Sequence, residues 1–300
     1  MLWASRRESI KRSVTRLPVT RGLVARFVPG EHIEDAVRAV RELRAQRLSV
    51  SLDHLGEDTR DPATAADAVR VYQQLIARLA DEGLTQSAEV SVKLSAVGQT
   101  LDGAMALDHA AALCETARGA GTTVTIDMED HTTTDATLRT VMRLRADYPE
   151  TGAVIQASLH RSVDDCRALA YDGSRIRICK GAYQEPASVA WQNRHEIRSA
   201  YLRCLRVLVD GGAYPMVATH DPRLIDAAQR MFAALQRNGT AHEFQMLYGI
   251  RRDEQRRLAE EHELVRVYVP FGTQWYGYLM RRMAERPANL ALVLRALSSG

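Results

Sequence analysis

Lysine is nearly absent from this 300-residue chain: of its forty Lys and Arg residues, only Lys11, Lys93 and Lys180 are lysines. Lys93 and Lys180 stand inside apolar runs, which suggests sites that need a compact ammonium, because Arg and Lys differ in hydration and geometry. Cysteine is scarce as well. Cys114, Cys166, Cys179 and Cys204 show no Cys-x-x-Cys spacing, which points to a reducing, cytoplasmic compartment. No apolar run is long enough to span a bilayer, and no secretory signal is visible. The formal net charge of +3 is small and evenly spread, so nucleic acid is not expected as a partner. His-x-His and His-Glu-x-x-His spacings are missing, which argues against a metal site.

The first thirty residues differ from the rest. Arg6, Arg7, Lys11, Arg12, Arg16, Arg21 and Arg26 face the single acid Glu8. The segment reads as a helix capping the remainder of the molecule, as a transit-type segment, or as a basic amphipathic helix lying on anionic lipid. With 46% hydrophobic and 26% charged residues, the chain as a whole has an ordinary globular balance.

Short runs rich in β-branched residues recur at 48–55, 89–95, 123–128, 153–158, 175–181, 215–220, 243–247 and 265–270. Between them lie stretches of helical period, such as 65–80, where Ala68, Val69, Tyr72, Leu75, Ile76 and Leu79 share one face. Asp61-Pro62 and Asp221-Pro222 are helix start signals, and Gly83 and Asn238-Gly239 are the matching stops. Strands alternating with helices imply a parallel sheet with right-handed crossovers. An open doubly wound sheet would normally carry a Gly-rich phosphate turn after its first strand, which Asp53-His54-Leu55-Gly56-Glu57 is not. The expected fold is α/β, a TIM-like (β/α)8 barrel over 47–300 with additional N-terminal helices in 1–46 packing on it; such barrels usually need about 250 residues.

In such barrels chemistry sits at the C-terminal strand ends. Those ends hold Asp53, Lys93, Asp127, Gln156, Arg177 with Lys180, Thr219 with His220, Gln245 and Tyr268. Polar groups converging from most strands suggest one large polar ligand and one small charged one. Arg281-Arg282, on the final helix, reads either as a solvated face or as a carboxylate clamp.

Six stretches, in order, resemble the motifs of the proline dehydrogenase family: Ser91-Val-Lys-Leu-Ser95, Thr125-Ile-Asp-Met-Glu-Asp130, Arg177-Ile-Cys-Lys-Gly-Ala-Tyr183, Ala218-Thr-His-Asp221, Glu243-Phe-Gln-Met-Leu-Tyr-Gly249, and Tyr268-Val-Pro-Phe-Gly272 through Tyr278-Leu-Met-Arg-Arg282. They span most of the barrel. The resemblance implies a noncovalent FAD over the barrel mouth, oxidation of L-proline to Δ1-pyrroline-5-carboxylate by hydride transfer to flavin N5, and delivery of electrons to a membrane quinone. It also implies that Lys93, Arg281 and Arg282 bind the substrate carboxylate. Ala182, Tyr183, Leu247, Tyr268 and Tyr278 cradle the ring, and Asp127 orders this pocket. Flavin contacts fall to Gln156, Arg177, Lys180, Gly181, Ala182, Thr219, His220 and Gln245, and Glu57 pairs with Arg281 as a gate.

The residue types suit that chemistry, because what the reaction needs above all is positioning. Cations fix the carboxylate, apolar walls hold the ring, and no strong acid is required. The phenol of Tyr268 leaves little room for a ring hydroxyl, which favours proline over hydroxyproline. Two positions depart from the family pattern: Cys179, where valine is expected, and Gln184 after the Gly-Ala-Tyr motif. With neither an aldehyde dehydrogenase domain nor a DNA-binding domain, the chain is expected to be monofunctional and to pass its product to a separate pyrroline-5-carboxylate dehydrogenase. Three other readings stand beside this one. They are a barrel lyase with Lys93 or Lys180 as Schiff-base nucleophile, a metal-dependent hydrolase using Asp53, His54, Asp127, Glu129, His220 and Asp221, and a non-catalytic proline or flavin sensor.

Overall fold

Polar and apolar residues alternate along the strands, and that alternation sorts the side chains into two layers. A computed structural model describes residues 24–57, 59–236 and 241–284, the side chains of 280–284 excepted. After helix α1 (Ile33–Arg44), eight strands alternate with helices: β1 (Ser49–His54), α2 (Pro62–Asp81), β2 (Ala88–Val92), α3 (Gly103–Gly119), β3 (Val124–Ile126), α4 (Thr134–Asp147), β4 (Gly152–Gln156), α5 (Ser162–Leu169), β5 (Arg175–Cys179), α6 (Arg194–Asp210), β6 (Tyr214–Ala218), α7 (Pro222–Ala234), β7 (Glu243–Leu247), α8 (Arg252–Glu260), β8 (Val265–Phe271) and α9 (Trp275–Ala284). Each strand pairs in parallel with the next, and β8 returns to β1 with Ser51 opposite Tyr268. The result is the closed (β/α)8 barrel that the strand and helix pattern leads one to expect.

Side chains alternate faces along a strand. In β1, Val50 and Leu52 point outward, and so do Val90 and Val92 in β2, Ile176 and Ile178 in β5, and Val267 and Val269 in β8. All are buried in one core with Tyr72, Leu75, Ile76 and Leu79 of α2 and Tyr201, Leu205 and Leu208 of α6. Truncating one such residue, for example Leu75→Ala, costs about 2–5 kcal/mol through lost burial and the cavity left behind. The opposite parity carries Ser51, Asp53, Glu89, Ser91, Arg175, Arg177, Glu243, Gln245, Arg266 and Tyr268, so the barrel interior is polar and hydrogen-bonded instead of apolar.

Helix starts follow their caps. The Asp61 carboxylate accepts from the Thr64 amide at 2.9 Å with Pro62 in the first turn, and Gly83, at φ +63°, ends that helix in the left-handed region where a side chain is costly. The stop expected at Asn238-Gly239 comes earlier. Helix α7 ends at Ala234 and Gln236 turns left-handed at φ 51°, which breaks the ladder before residues 237–240, which lie outside the described residues.

Helix α1 lies against β1 and β8 and closes the core there through Ala36, Val37 and Val40. The helix that follows β8 therefore packs elsewhere. Trp275, Tyr278 and Leu279 of α9 join Phe27, Val28, Leu55 and Ile250 in a second apolar cluster. Leu55 and Ile250 belong to the segments just after β1 and β7, so this cluster marks the C-terminal end of the barrel and brings α9 to its mouth. No helix among the described residues is long and apolar enough to cross a membrane. Of the basic N-terminal stretch, residues 1–23 lie outside the described residues.

Candidate active site

Asp127 follows directly on β3 and is the hub of the mouth. Its Oδ1 accepts from Arg177 Nη1 at 2.6 Å and from Ser91 Oγ at 2.8 Å. Its Oδ2 accepts from Tyr268 Oη at 2.6 Å and faces Lys93 Nζ at 3.5 Å. Lys93, one residue beyond β2, pairs with Asp53 Oδ2 at 2.8 Å and donates to Tyr268 Oη at 3.3 Å. Strands β1, β2, β3, β5 and β8 thus each contribute one charged or phenolic group to a single cluster.

Arg177 is the deeper anchor. It is 4% exposed, and its planar fork also donates to Gln245 Oε1 at 2.5 Å and to Ser51 Oγ at 3.2 Å, with Glu89 Oε1 at 3.4 Å. One layer further down, Glu89 pairs with Arg175 at 2.6 Å and Glu243 with Arg266 at 2.8 Å. Buried charges persist only when paired in this way.

These partners fix protonation states. Burial opposes the charge on Lys93, but Asp53, then Asp127 and Glu57, outweigh it and hold the ammonium well above its ordinary range. Burial would also raise Asp127, yet Lys93 and Arg177 keep it below the usual carboxylate value. Burial, reinforced by Asp127 and Asp53, pushes the Tyr268 phenol up, so it stays protonated and donates to Asp127. Burial raises the Asp53 carboxyl against the pull of Lys93. A lysine kept protonated is poorly suited to attack a carbonyl, which weighs against Lys93 as a Schiff-base nucleophile.

A second group of expected residues lies along β4 to β7. Gln156 Nε2 donates to the Glu129 carbonyl at 2.7 Å, and Leu247 N donates to His220 Nε2 at 2.9 Å. Lys180 Nζ and Arg198 Nε both meet Asp221 Oδ2 at 2.6 Å, while Asp221 N donates to Thr219 Oγ1 at 3.1 Å. Burial would raise Asp221, but hydrogen bonds from Lys180 and Arg198 bring it down to about 2. Its other oxygen caps α7 through the Arg223 amide at 3.1 Å, so one carboxylate anchors a helix and two cations. Gly181 has φ +107°, and a Cβ there would lie 2.2 Å from Ser158 Oγ, so a side chain is excluded by backbone and by space.

The apolar residues fall beside the cluster. Leu247 ends β7 and packs with the group that contains Tyr278, while Ala182 is exposed and Tyr183 half-buried in the segment after β5. Arg281 and Arg282 fall on α9, but their side chains lie outside the described residues, and so does any pairing of Arg281 with Glu57. Cys179 ends β5, half-buried, and Gln184 is exposed. Among the described residues no His, Cys, Asp and Glu gather in a group of three or more able to hold a metal ion. Asp53 and Asp127, which a hydrolase would need as ligands, are already engaged by Lys93 and Arg177.

Ser51, Glu89 and Ser91, which orient Arg177 and Asp127, are not among the residues the sequence singles out, and Asp53 stands there as a polar strand end and a candidate metal ligand, not as the partner of Lys93. The signal was present in the two-residue period of Glu89, Ser91 and Lys93, which puts all three on one face of β2 and its extension.

Known proteins resemble this chain over most of its length. A family described as proline dehydrogenase matches residues 36–294. Proline dehydrogenase of Deinococcus radiodurans is 40% identical over 283 residues, 93% of this chain and 91% of that protein. Proline dehydrogenase 1 of Bacillus subtilis is 37% identical over 272 residues, covering 91% and 89%. The crystal structure of proline utilization A from Bdellovibrio bacteriovorus, inactivated by N-propargylglycine, superposes with a TM-score of 0.81 at 23% identity, over 88% of this chain and 32% of that one, a likeness of fold. With that family match running from α1 to beyond α9 and two relatives aligned over nearly their whole length, the chain belongs to the proline dehydrogenase family.

Proposed function

We propose that this protein oxidises L-proline to Δ1-pyrroline-5-carboxylate with a noncovalently bound FAD, and that a membrane quinone takes the electrons. The observation that carries the reading is the place of Lys93 at the barrel mouth, braced by Asp53, Asp127 and Tyr268 next to an apolar wall. Such a site suits a small ring bearing a carboxylate. The family to which the chain belongs supports the same substrate.

The donor set fits FAD. Arg177, Gln245, Gln156, Thr219 and His220 supply hydrogen-bonding groups on successive strands for a flat polar ring system. Lys180 and Arg198, with about a third of each side chain exposed, supply cations for phosphates, and Gly181 leaves room for close approach. When bound, FAD supplies a two-electron acceptor that takes hydride at its N5.

The protein's own residues do the positioning. Lys93, Arg281 and Arg282 hold the substrate carboxylate, the two arginines being assigned by family resemblance. Ala182, Tyr183, Leu247, Tyr268 and Tyr278 confine the ring and keep water away. Asp127 keeps the Tyr268 hydroxyl and the Arg177 guanidinium in fixed orientation, and Arg177 offers a permanent positive charge where negative charge develops. Glu57 with Arg281 closes the mouth. Helix α1 packs on the barrel, and the enzyme is read as cytoplasmic, meeting the membrane peripherally and handing its product to a separate pyrroline-5-carboxylate dehydrogenase.

The decisive experiment is a visible spectrum of purified protein before and after anaerobic addition of L-proline. Flavin bands that bleach are the expected result. Bands that remain oxidised would remove proline as substrate, and the lack of any flavin band after adding FAD would overturn the cofactor. Turnover with an artificial electron acceptor separates an enzyme from a sensor.

A further inference from the structure

Lys93 has three ammonium protons and a four-carbon stem with free rotors, so something must hold it if it is to meet a carboxylate in one place. Its nearest partner is Asp53 Oδ2 at 2.8 Å; Tyr268 Oη stands at 3.3 Å and Asp127 Oδ2 at 3.5 Å. Asp127 has little capacity to spare, because it already accepts from Arg177, Ser91 and Tyr268.

Asp53 is a costly residue in this location. It is 1% exposed, and its Oδ1 is buried with no hydrogen-bond partner among the described residues. A buried ion pair with an unsatisfied oxygen contributes little net stability, since desolvation offsets the attraction. The backbone beside it is braced nevertheless: the His54 amide donates to Tyr72 Oη at 3.0 Å, and Tyr72 Oη donates to the Ser91 carbonyl at 2.8 Å, tying the end of β1 to β2. The strand end that carries the carboxylate is thus tied in place, with Lys93 as the carboxylate's closest partner.

We infer that Asp53 is a positioning residue for substrate binding, fixing Lys93 Nζ at the mouth so that one of its donors stays directed to the substrate carboxylate. This rests on the reading of Lys93 as a carboxylate anchor. Without Asp53 the ammonium has Asp127 as its strongest remaining acceptor and turns inward, competing with Tyr268 and Ser91 and withdrawing from the ligand.

The test compares the Asp53→Asn, Lys93→Met and double-variant holoenzymes. Two quantities are read: steady-state proline oxidation, and affinity for cyclopentanecarboxylate, a ring carboxylate with no amine to oxidise. For Asp53→Asn the proline KM is expected to rise about tenfold, with kcat falling far less, and the ring carboxylate to bind about tenfold more weakly. The double variant is expected to bind no more weakly than Lys93→Met alone, because Asp53 acts through Lys93. Asp53→Ser, smaller and still able to accept one hydrogen bond, makes the same comparison if the Asn variant does not fold. Unchanged carboxylate affinity in the Asp53 variants while Lys93→Met loses it, or losses that simply add, would overturn the inference. Unchanged affinity in Lys93→Met would instead overturn the role given to Lys93 itself, and the inference with it, a distinguishable failure.

Discussion

Tyr268 on β8 donates a 2.6 Å hydrogen bond across the barrel to Asp127 Oδ2 at the end of β3. The same hydroxyl accepts from Lys93, so the phenol is pinned from two sides and its ring forms a wall that does not yield. A pinned wall discriminates by size better than one that can rotate away, because the larger ligand then meets the full steric penalty.

Tyr268→Ser removes that wall. The ratio of kcat/KM for hydroxyproline to that for proline is expected to rise roughly tenfold, within the range that one small group in a pocket commands. Competing steady-state assays with both substrates measure it, and an unaltered ratio would clear Tyr268 of a role in selectivity.

Arg281→Ala is expected to weaken proline binding by about 2 kcal/mol, roughly thirtyfold in KM, for the loss of a charged hydrogen-bonding partner. Saturation kinetics decide the point. A wild-type KM would remove Arg281 from the carboxylate clamp.

Arg177→Met leaves Asp127 and Glu89 buried without a shared cation, and breaking such a buried pair costs about 3–5 kcal/mol. Urea unfolding is expected to show that loss. Arg177→Lys restores the charge but not the fork, so it should recover only part of the stability, and in both variants the flavin potential is expected to become more negative if reduced flavin leans on the guanidinium. A potential equal to the wild type's would confine Arg177 to a structural role.

Glu89 gives the protein an acid limit. Burial alone would raise its carboxyl, but Arg266, Arg175 and Arg177 bring it to about 2, against an ordinary 4.5. A group depressed on folding contributes stability that is fully present above its unfolded value and is lost as pH falls through the folded one. Unfolding free energy should therefore drop between about pH 4.5 and 2. In Glu89→Gln the slope in that window should be shallower and the stability at pH 7 lower, as denaturation curves across pH would reveal; an unchanged slope would mean that Glu89 does not titrate with unfolding.

Much of the fold was legible in the chain. The β-branched residues of the 175–181 run mark a strand, and β5 runs over Arg175–Cys179; Asp61-Pro62 and Asp221-Pro222 mark where α2 and α7 begin. These are local signals, set by caps and by the period of a strand or helix. The Asn238-Gly239 stop misled because a left-handed residue at Gln236 ends the helix first, a conformation that Gln does not advertise.

The sequence by itself determined that there would be a barrel, which residues would stand at its strand ends, and to which family its motifs belong, because each of these depends on short-range periodicity and on residue identity. Only the tertiary structure decided who meets whom. Asp53 and Lys93 are forty residues apart, Lys93 and Tyr268 are 175 apart, and Ser51 and Arg177 are 126 apart, yet each pair is in hydrogen-bond contact. Barrel closure and strand register set those contacts, and the polar layer they form fixes the charge on Lys93, which no residue carries in its own name.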